Sequence, residues 1–227
     1  RANAGLTTIE VTSVATIGTN LFAGTYGGVF RSTDNGASWS GLMSADVRAL
    51  AVSGSNIFAG TGDGVFLSTD NGTSWSNIFY QAVYALGTTS DGLMVGVIDN
   101  GPKIYSYGIL LTHTGSSWTS SGAELSWFTT IAQSGTSLFA GTYGGGVFLS
   151  TNNGTTWSQV NTGLTNTEVR TLAISGTNVL AGTSSGVFLS PNNGGTWMAV
   201  NAGAPNLNVS VLAVVDTNCF AGTQANA

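Results

Sequence analysis

LFAGTYGGVF (21–30) returns as IFAGTGDGVF (57–66), LFAGTYGGGVF (138–148) and VLAGTSSGVF (179–188). LMVGVIDNGPKIY (93–105) is a weakened copy and CFAGT (219–223) a short one. Each full copy is followed by a second segment: STDNGASW (32–39), STDNGTSW (68–75), STNNGTTW (150–157) and SPNNGGTW (190–197). The third unit keeps only THTGSSW (112–118) of it. A third segment leads several copies: EVTSVATIGTN (10–20), DVRALAVSGSN (46–56), EVRTLAISGTN (168–178) and NVSVLAVVDTN (208–218). A self-similar period of roughly forty residues is the signature of a repeat architecture.

Each unit divides into four short apolar runs separated by Gly, Asn and Asp, for example VRALAVSG, NIFAGT, GVFLST and TSWSNIF. Such runs predict an antiparallel meander. No stretch keeps a 3.6-residue apolar period, so helices are not expected. One sheet of this kind is apolar on both faces, and Val47, Leu50, Ile57 and Phe66 cannot all hide within it. Stacking successive sheets about an axis buries both faces, which is the β-propeller solution. The expectation is a single all-β domain over 1–227, with units starting near 9, 46, 82, 127, 168 and 208. That is six four-stranded blades with the last incomplete; five and seven remain open. RANAGLTTIEV (1–11) aligns without gaps to AVNAGAPNLNV (199–209), so the chain is expected to open at the tail of a fourth strand.

The Ser-x-Asp-x-Gly-x-x-Trp segment resembles the Asp-box, or bacterial neuraminidase repeat, of the sialidase-like propellers. The resemblance places the box at the turn between a blade's third and fourth strands. Asp34 and Asp70 would accept turn amides, and Trp39, Trp75, Trp157 and Trp197 would pack between blades. Asn152 and Asn192 replace the acid in two boxes. An amide still caps a turn but cannot serve as a catalytic carboxylate, so the box reads as structural. The units also resemble tandem repeats of long secreted bacterial surface proteins, which implies export to the medium or cell surface. The likeness to photosystem assembly factors is weaker, because their arginine-rich patch is absent here.

Only 7% of residues are charged, against about 25% in an average chain, and the net charge is −5. Nucleic acid needs a basic footprint and an anionic membrane a basic cluster; neither is present. No apolar run has the ~18 residues of a spanning helix. The first residue is Arg1 rather than Met, so a processed form or fragment is expected, any secretion signal being already removed. The single cysteine, Cys219, excludes an intrachain disulfide. It stands where other units carry Leu21, Ile57, Leu138 and Val179, which predicts a small buried hydrophobe.

In a four-stranded meander, the start of strand one and the turn between strands two and three share an end, opposite the boxes. The residues leading into strand one are Glu10, Asp46, Ala82, Trp127, Glu168 and Asn208. Two positions on stand Thr12, Arg48, Tyr84, Thr129, Arg170 and Ser210, and the turns add Tyr26, Asp63, Asp99 and Tyr143. Glu10, Tyr26, Asp46, Arg48, Tyr84, Trp127, Tyr143, Glu168 and Arg170 are therefore the ligand-binding candidates. Aromatic rings there suit sugar faces, and the acids and arginines suit hydroxyl hydrogen bonds. Equally, Arg48 and Arg170 can simply neutralise Asp46 and Glu168 within each repeat. The third unit departs furthest from the pattern, with Lys103, Tyr105, Tyr107 and the lone histidine, His113, which reads as a turn residue.

The sialidase likeness implies an arginine triad, but only Arg48 and Arg170 are placed for a channel. A xyloglucanase-like hydrolase would need a carboxylate pair, for which Asp46 and Glu168 are the candidates. No Cys/His cluster predicts zinc, no acidic loop predicts calcium, and no cofactor is expected. The reading is a non-enzymatic binding or structural propeller for a glycan or protein ligand, with self-association through the incomplete blade. The alternative is a glycoside hydrolase.

Overall fold

The repeats fold as sheets whose strands follow one another in sequence order. A computed structural model of the chain describes residues 4–7, 10–89, 92–99, 107–114, 117–125, 127–201, 207–215 and 218–224. The first sheet holds β1 (Val11–Ile17), β2 (Asn20–Thr25), β3 (Gly28–Ser32) and β4 (Ser40–Met43). The second holds β5 (Val47–Ser53), β6 (Asn56–Thr61), β7 (Gly64–Ser68) and β8 (Ser76–Phe79). Then come β9 (Val83–Thr89), β10 (Gly92–Asp99), β11 (Tyr107–Thr114) and β12 (Ser117–Leu125). The fourth sheet is β13 (Phe128–Ser134), β14 (Ser137–Thr142), β15 (Gly146–Ser150) and β16 (Ser158–Gln159). The fifth is β17 (Val169–Ser175), β18 (Asn178–Thr183), β19 (Gly186–Ser190) and β20 (Met198–Ala199). A two-stranded sheet of β21 (Asn208–Val215) and β22 (Asn218–Gln224) follows. No helix occurs among the described residues.

The chain forms two compact units, 1–88 and 89–227. In the first, Phe22 and Val29 of one sheet pack with Val47, Leu50, Ile57 and Ala59 of the next. In the second, Phe139 and Val147 pack with Val169, Leu172 and Val179, and Leu180 and Val187 with Val209 and Leu212. The apolar residues of one sheet thus find their partners on its neighbour, as two-faced apolar strands require.

One register recurs. Val11 faces Thr25, Val47 faces Thr61, Phe128 faces Thr142, Val169 faces Thr183 and Val209 faces Thr223, each followed by a shift of register. Such a bulge leaves the next residue unpaired and re-aims its side chain. Those residues are Thr12, Arg48, Thr129, Arg170 and Ser210. Thr12 Oγ1 donates to the Val47 carbonyl of the next sheet (2.8 Å), and Thr129 Oγ1 to that of Val169 (2.7 Å).

Four expectations change. His113 lies in β11, opposite both Leu93 and Trp118, not in a turn. Thr114 pairs with Ser117, so β11 and β12 both run into the THTGSSW segment. β16 and β20 have only two residues each. There the Val147 and Val187 carbonyls still accept the Val160 and Val200 amides (2.9 Å each), while their own amides donate to Asn161 Oδ1 (2.8 Å) and Asn201 Oδ1 (2.7 Å). Cys219 is exposed, whereas Ile57, Leu138 and Val179 are fully buried. Those three strands each pair with a third strand of their sheet; among the described residues β22 has only β21. Lys103 and Tyr105 lie outside the described residues. At the other end of the chain, the Trp39 amide donates to the Ala4 carbonyl (2.8 Å), as Trp197 does to Thr162 (2.8 Å). Ala4 thus meets Trp39 as Thr162 of a complete repeat meets Trp197.

Candidate functional site

The Ser-x-Asp/Asn turns occupy one end of four of the sheets. Ser32 Oγ accepts the Gly36 amide and donates to Asp34 Oδ1, both at 2.8 Å. Asp34 in turn accepts the Ser38 amide (2.9 Å) and hydroxyl (2.6 Å). The same contacts recur at Ser68, Asp70 and Ser74. At Asn152 and Asn192 the Oδ1 atom still accepts Thr156 N and Thr196 N at 2.9 Å, and the amide nitrogen donates to the threonine hydroxyl. Asn35, Asn71, Asn153 and Asn193 complete the turns at positive φ. The tryptophans differ among themselves. Trp75 and Trp157 donate their indole N–H to Gly72 and Gly154 of their own turns. Trp197 is buried and donates to the Val160 carbonyl of the preceding sheet.

Hydrogen bonds from Ser38 and Ser32, and from Ser74 and Ser68, pull the Asp34 and Asp70 carboxyls down to about 2. Their contribution to stability is complete above the ordinary carboxylate range and is lost as pH falls through about 2. Replacing both by Asn, as at Asn152 and Asn192, is expected to flatten the acid limb of Tm between neutrality and that value. Calorimetry from pH 5 downward checks it; an unchanged slope contradicts it.

At the opposite end of the sheets, the sequence-derived candidates gather within each unit. In 89–227, Tyr143 N–H donates to the Trp127 carbonyl (2.8 Å), and Tyr143 bridges Glu168 across to the next repeat. The two rings stand 6.4 Å apart at 38° and both are about half exposed. Beside them Arg170 donates through Nε (3.1 Å) and Nη2 (2.6 Å) to Glu168 Oε1, and through Nη1 to Asn208 Oδ1. Arg170 above all, with Ser184 and Tyr143, holds the Glu168 carboxyl below its usual range, although burial works the other way.

In 1–88, Arg48 donates through Nε (3.2 Å) and Nη2 (3.0 Å) to Asp46 Oδ2. Its guanidinium lies 4.5 Å over the Tyr84 ring. Among the described residues, Asp46 Oδ1 and Arg48 Nη1 are shielded and find no hydrogen-bond partner. Glu10 and Tyr26 are exposed in this unit. The inter-sheet partner of Arg48 is one that pattern reading missed. The signal was there, since Tyr84 occupies the Arg48 position of the next repeat. Among the described residues no three His, Cys, Asp or Glu side chains converge as metal ligands.

Sheets of this meander, stacked through their first strands, define a β-propeller. The particular likenesses are to solved propeller structures. The extracellular domain of BT4673 from B. thetaiotaomicron superposes with a TM-score of 0.76 at 16% identity, over 94% of this chain and 32% of that one. YCF48 bound to D1 peptide gives 0.66 at 15%, over 95% and 75%. The GH74 xyloglucanase from Xanthomonas campestris gives 0.65 at 17%, over 80% and 37%. No family model matches the chain, and no curated protein matches it in sequence.

Proposed function

We propose that this chain is a non-enzymatic, secreted or surface-exposed binding propeller that holds a glycan against Trp127 and Tyr143. The exposed aromatic pair beside the Glu168–Arg170 ion pair carries this reading. Exposed rings offer flat apolar faces to a sugar, and the charged pair beside them suits hydroxyl groups. The orphaned acceptor on Asp46 and donor on Arg48 form a second place where a hydroxyl fits. The Ser-x-Asp/Asn turns are read as Asp-boxes whose role is to close the sheets. A protein ligand is the second reading, favoured by the peptide-bound state of the YCF48 neighbour.

The GH74 neighbour keeps a hydrolase in view, with Asp46 and Glu168 as its carboxylates. Two observations weigh against it. Glu168 is held ionised, the opposite of what a proton-donating acid needs, and Asp46 Oδ2 is occupied by Arg48. Screening the chain on a broad glycan array, then titrating the best ligand, tests the proposal. Trp127→Ala is expected to weaken binding at least tenfold with Tm unchanged, because the ring is exposed and its backbone carbonyl makes the contact to Tyr143. Turnover of aryl glycosides lost in Glu168→Gln contradicts the non-enzymatic reading. Saturable binding that ignores Trp127→Ala contradicts the site.

A further inference from the structure

One contact between neighbouring sheets recurs four times. A methyl carbon placed on Gly24 would lie 2.7 Å from Val47 Cγ1 and 3.2 Å from Leu50 Cγ. On Gly60 it would lie 2.7 Å from Val83 Cγ1, on Gly141 2.8 Å from Val169 Cγ1, and on Gly182 2.6 Å from Val209 Cγ1. In four sheets, then, a valine in the first strand sits directly on bare glycine backbone in the second strand of the sheet before it. The Leu three residues on packs alongside, and Val47, Val83, Val169, Val209 and their leucines are buried.

Both halves of this contact also occur uncovered. On β1 the equivalent residues are Val11 and Val14, and Val14 is 62% exposed. On β22 the equivalent glycine is Gly222, where an added methyl would meet no described atom but those of Val211 in its own sheet. Phe220 beside it is 59% exposed, although Phe22 and Phe139 at the same repeat position are fully buried. Neither strand carries a charged residue that would oppose stacking. Exposed apolar faces of this kind mark interaction surfaces.

We infer that the β1 face of one copy of this chain packs on the β21–β22 face of a second copy, Val11 seating on Gly222 and Val14 against Phe220. The second copy is the occupant because it brings the matching half of a contact the chain already makes four times within itself. The two faces differ, so the association is head-to-tail and continues beyond a dimer unless it closes into a ring.

Sedimentation and light scattering over a wide concentration range test this. Wild type is expected to rise in mass through dimers to larger species. Val14→Asp and Phe220→Asp should each stay monomeric alone. Mixed, they should form a dimer and stop there, since one keeps the β21–β22 face and the other the β1 face. Both side chains are exposed; should either aspartate lower Tm, Val14→Thr and Phe220→Ser carry the same test more gently. A wild-type monomer at every concentration overturns the inference. So do variants that assemble as wild type does, or a mixture that stays monomeric. Glycan binding is read separately at Trp127, so failure of one leaves the other standing.

Discussion

Gly64→Ala is expected to cost roughly 3–5 kcal/mol of stability, the largest effect of a methyl added to any described glycine. Gly64 opens β7 at φ +133°, and a Cβ there would lie 1.7 Å from the Phe79 carbonyl oxygen. Both the dihedral and the clash with β8 oppose it, and backbone cannot step aside as a side chain can. Gly186 holds the same place in its repeat, but its added carbon would meet the side chain of Asn201 at 2.4 Å. A side chain can swing away, so Gly186→Ala should cost less. Gly54, at φ +60° in a turn with nothing within 4 Å, should cost roughly 1 kcal/mol for the left-handed conformation alone. Urea unfolding of the three variants gives the ranking directly. Equal losses at Gly64 and Gly54 would mean that the β7–β8 approach is looser than described.

Phe139→Ala should cost roughly 3–5 kcal/mol as well, the usual range for emptying a large aromatic site. Phe139 is fully buried and packs with Val147, Leu164, Val169 and Leu172 across two sheets. Phe220→Ala, at the same repeat position, should change stability by no more than about 0.5 kcal/mol in dilute protein, because its ring already faces solvent. Thermal unfolding of both variants under identical dilute conditions separates them. A comparable loss at Phe220 would show that the β22 face is covered in the isolated chain.

Much of this was legible from residue order. The strand boundaries follow the turn residues closely, with Val47, Val83 and Val169 each opening a first strand. The ion pairs Asp46–Arg48 and Glu168–Arg170 were readable from spacing, because a bulge aims the second residue back towards the first. The third unit was not readable. Its motif THTGSSW resembles a worn box, yet it lacks the serine and the acid at their places, and β11 continues to Thr114. The pairing of Trp127 with Tyr143 was also hidden, since the two are separated by a whole hairpin and meet only when β13 and β14 pair.

The sequence by itself determined the repeat, the meander and the turn chemistry, because each depends on neighbours within a few residues. Only the tertiary structure decided which of several equivalent positions carries weight. Val14 and Leu50, Phe220 and Phe139, Cys219 and Ile57 are equivalent in the repeat and opposite in burial. The difference is whether another sheet lies against them, and that is a property of the stack rather than of any one repeat. The LFAGT segment therefore specifies a strand wherever it occurs, but it becomes core only where a neighbouring valine reaches its glycine.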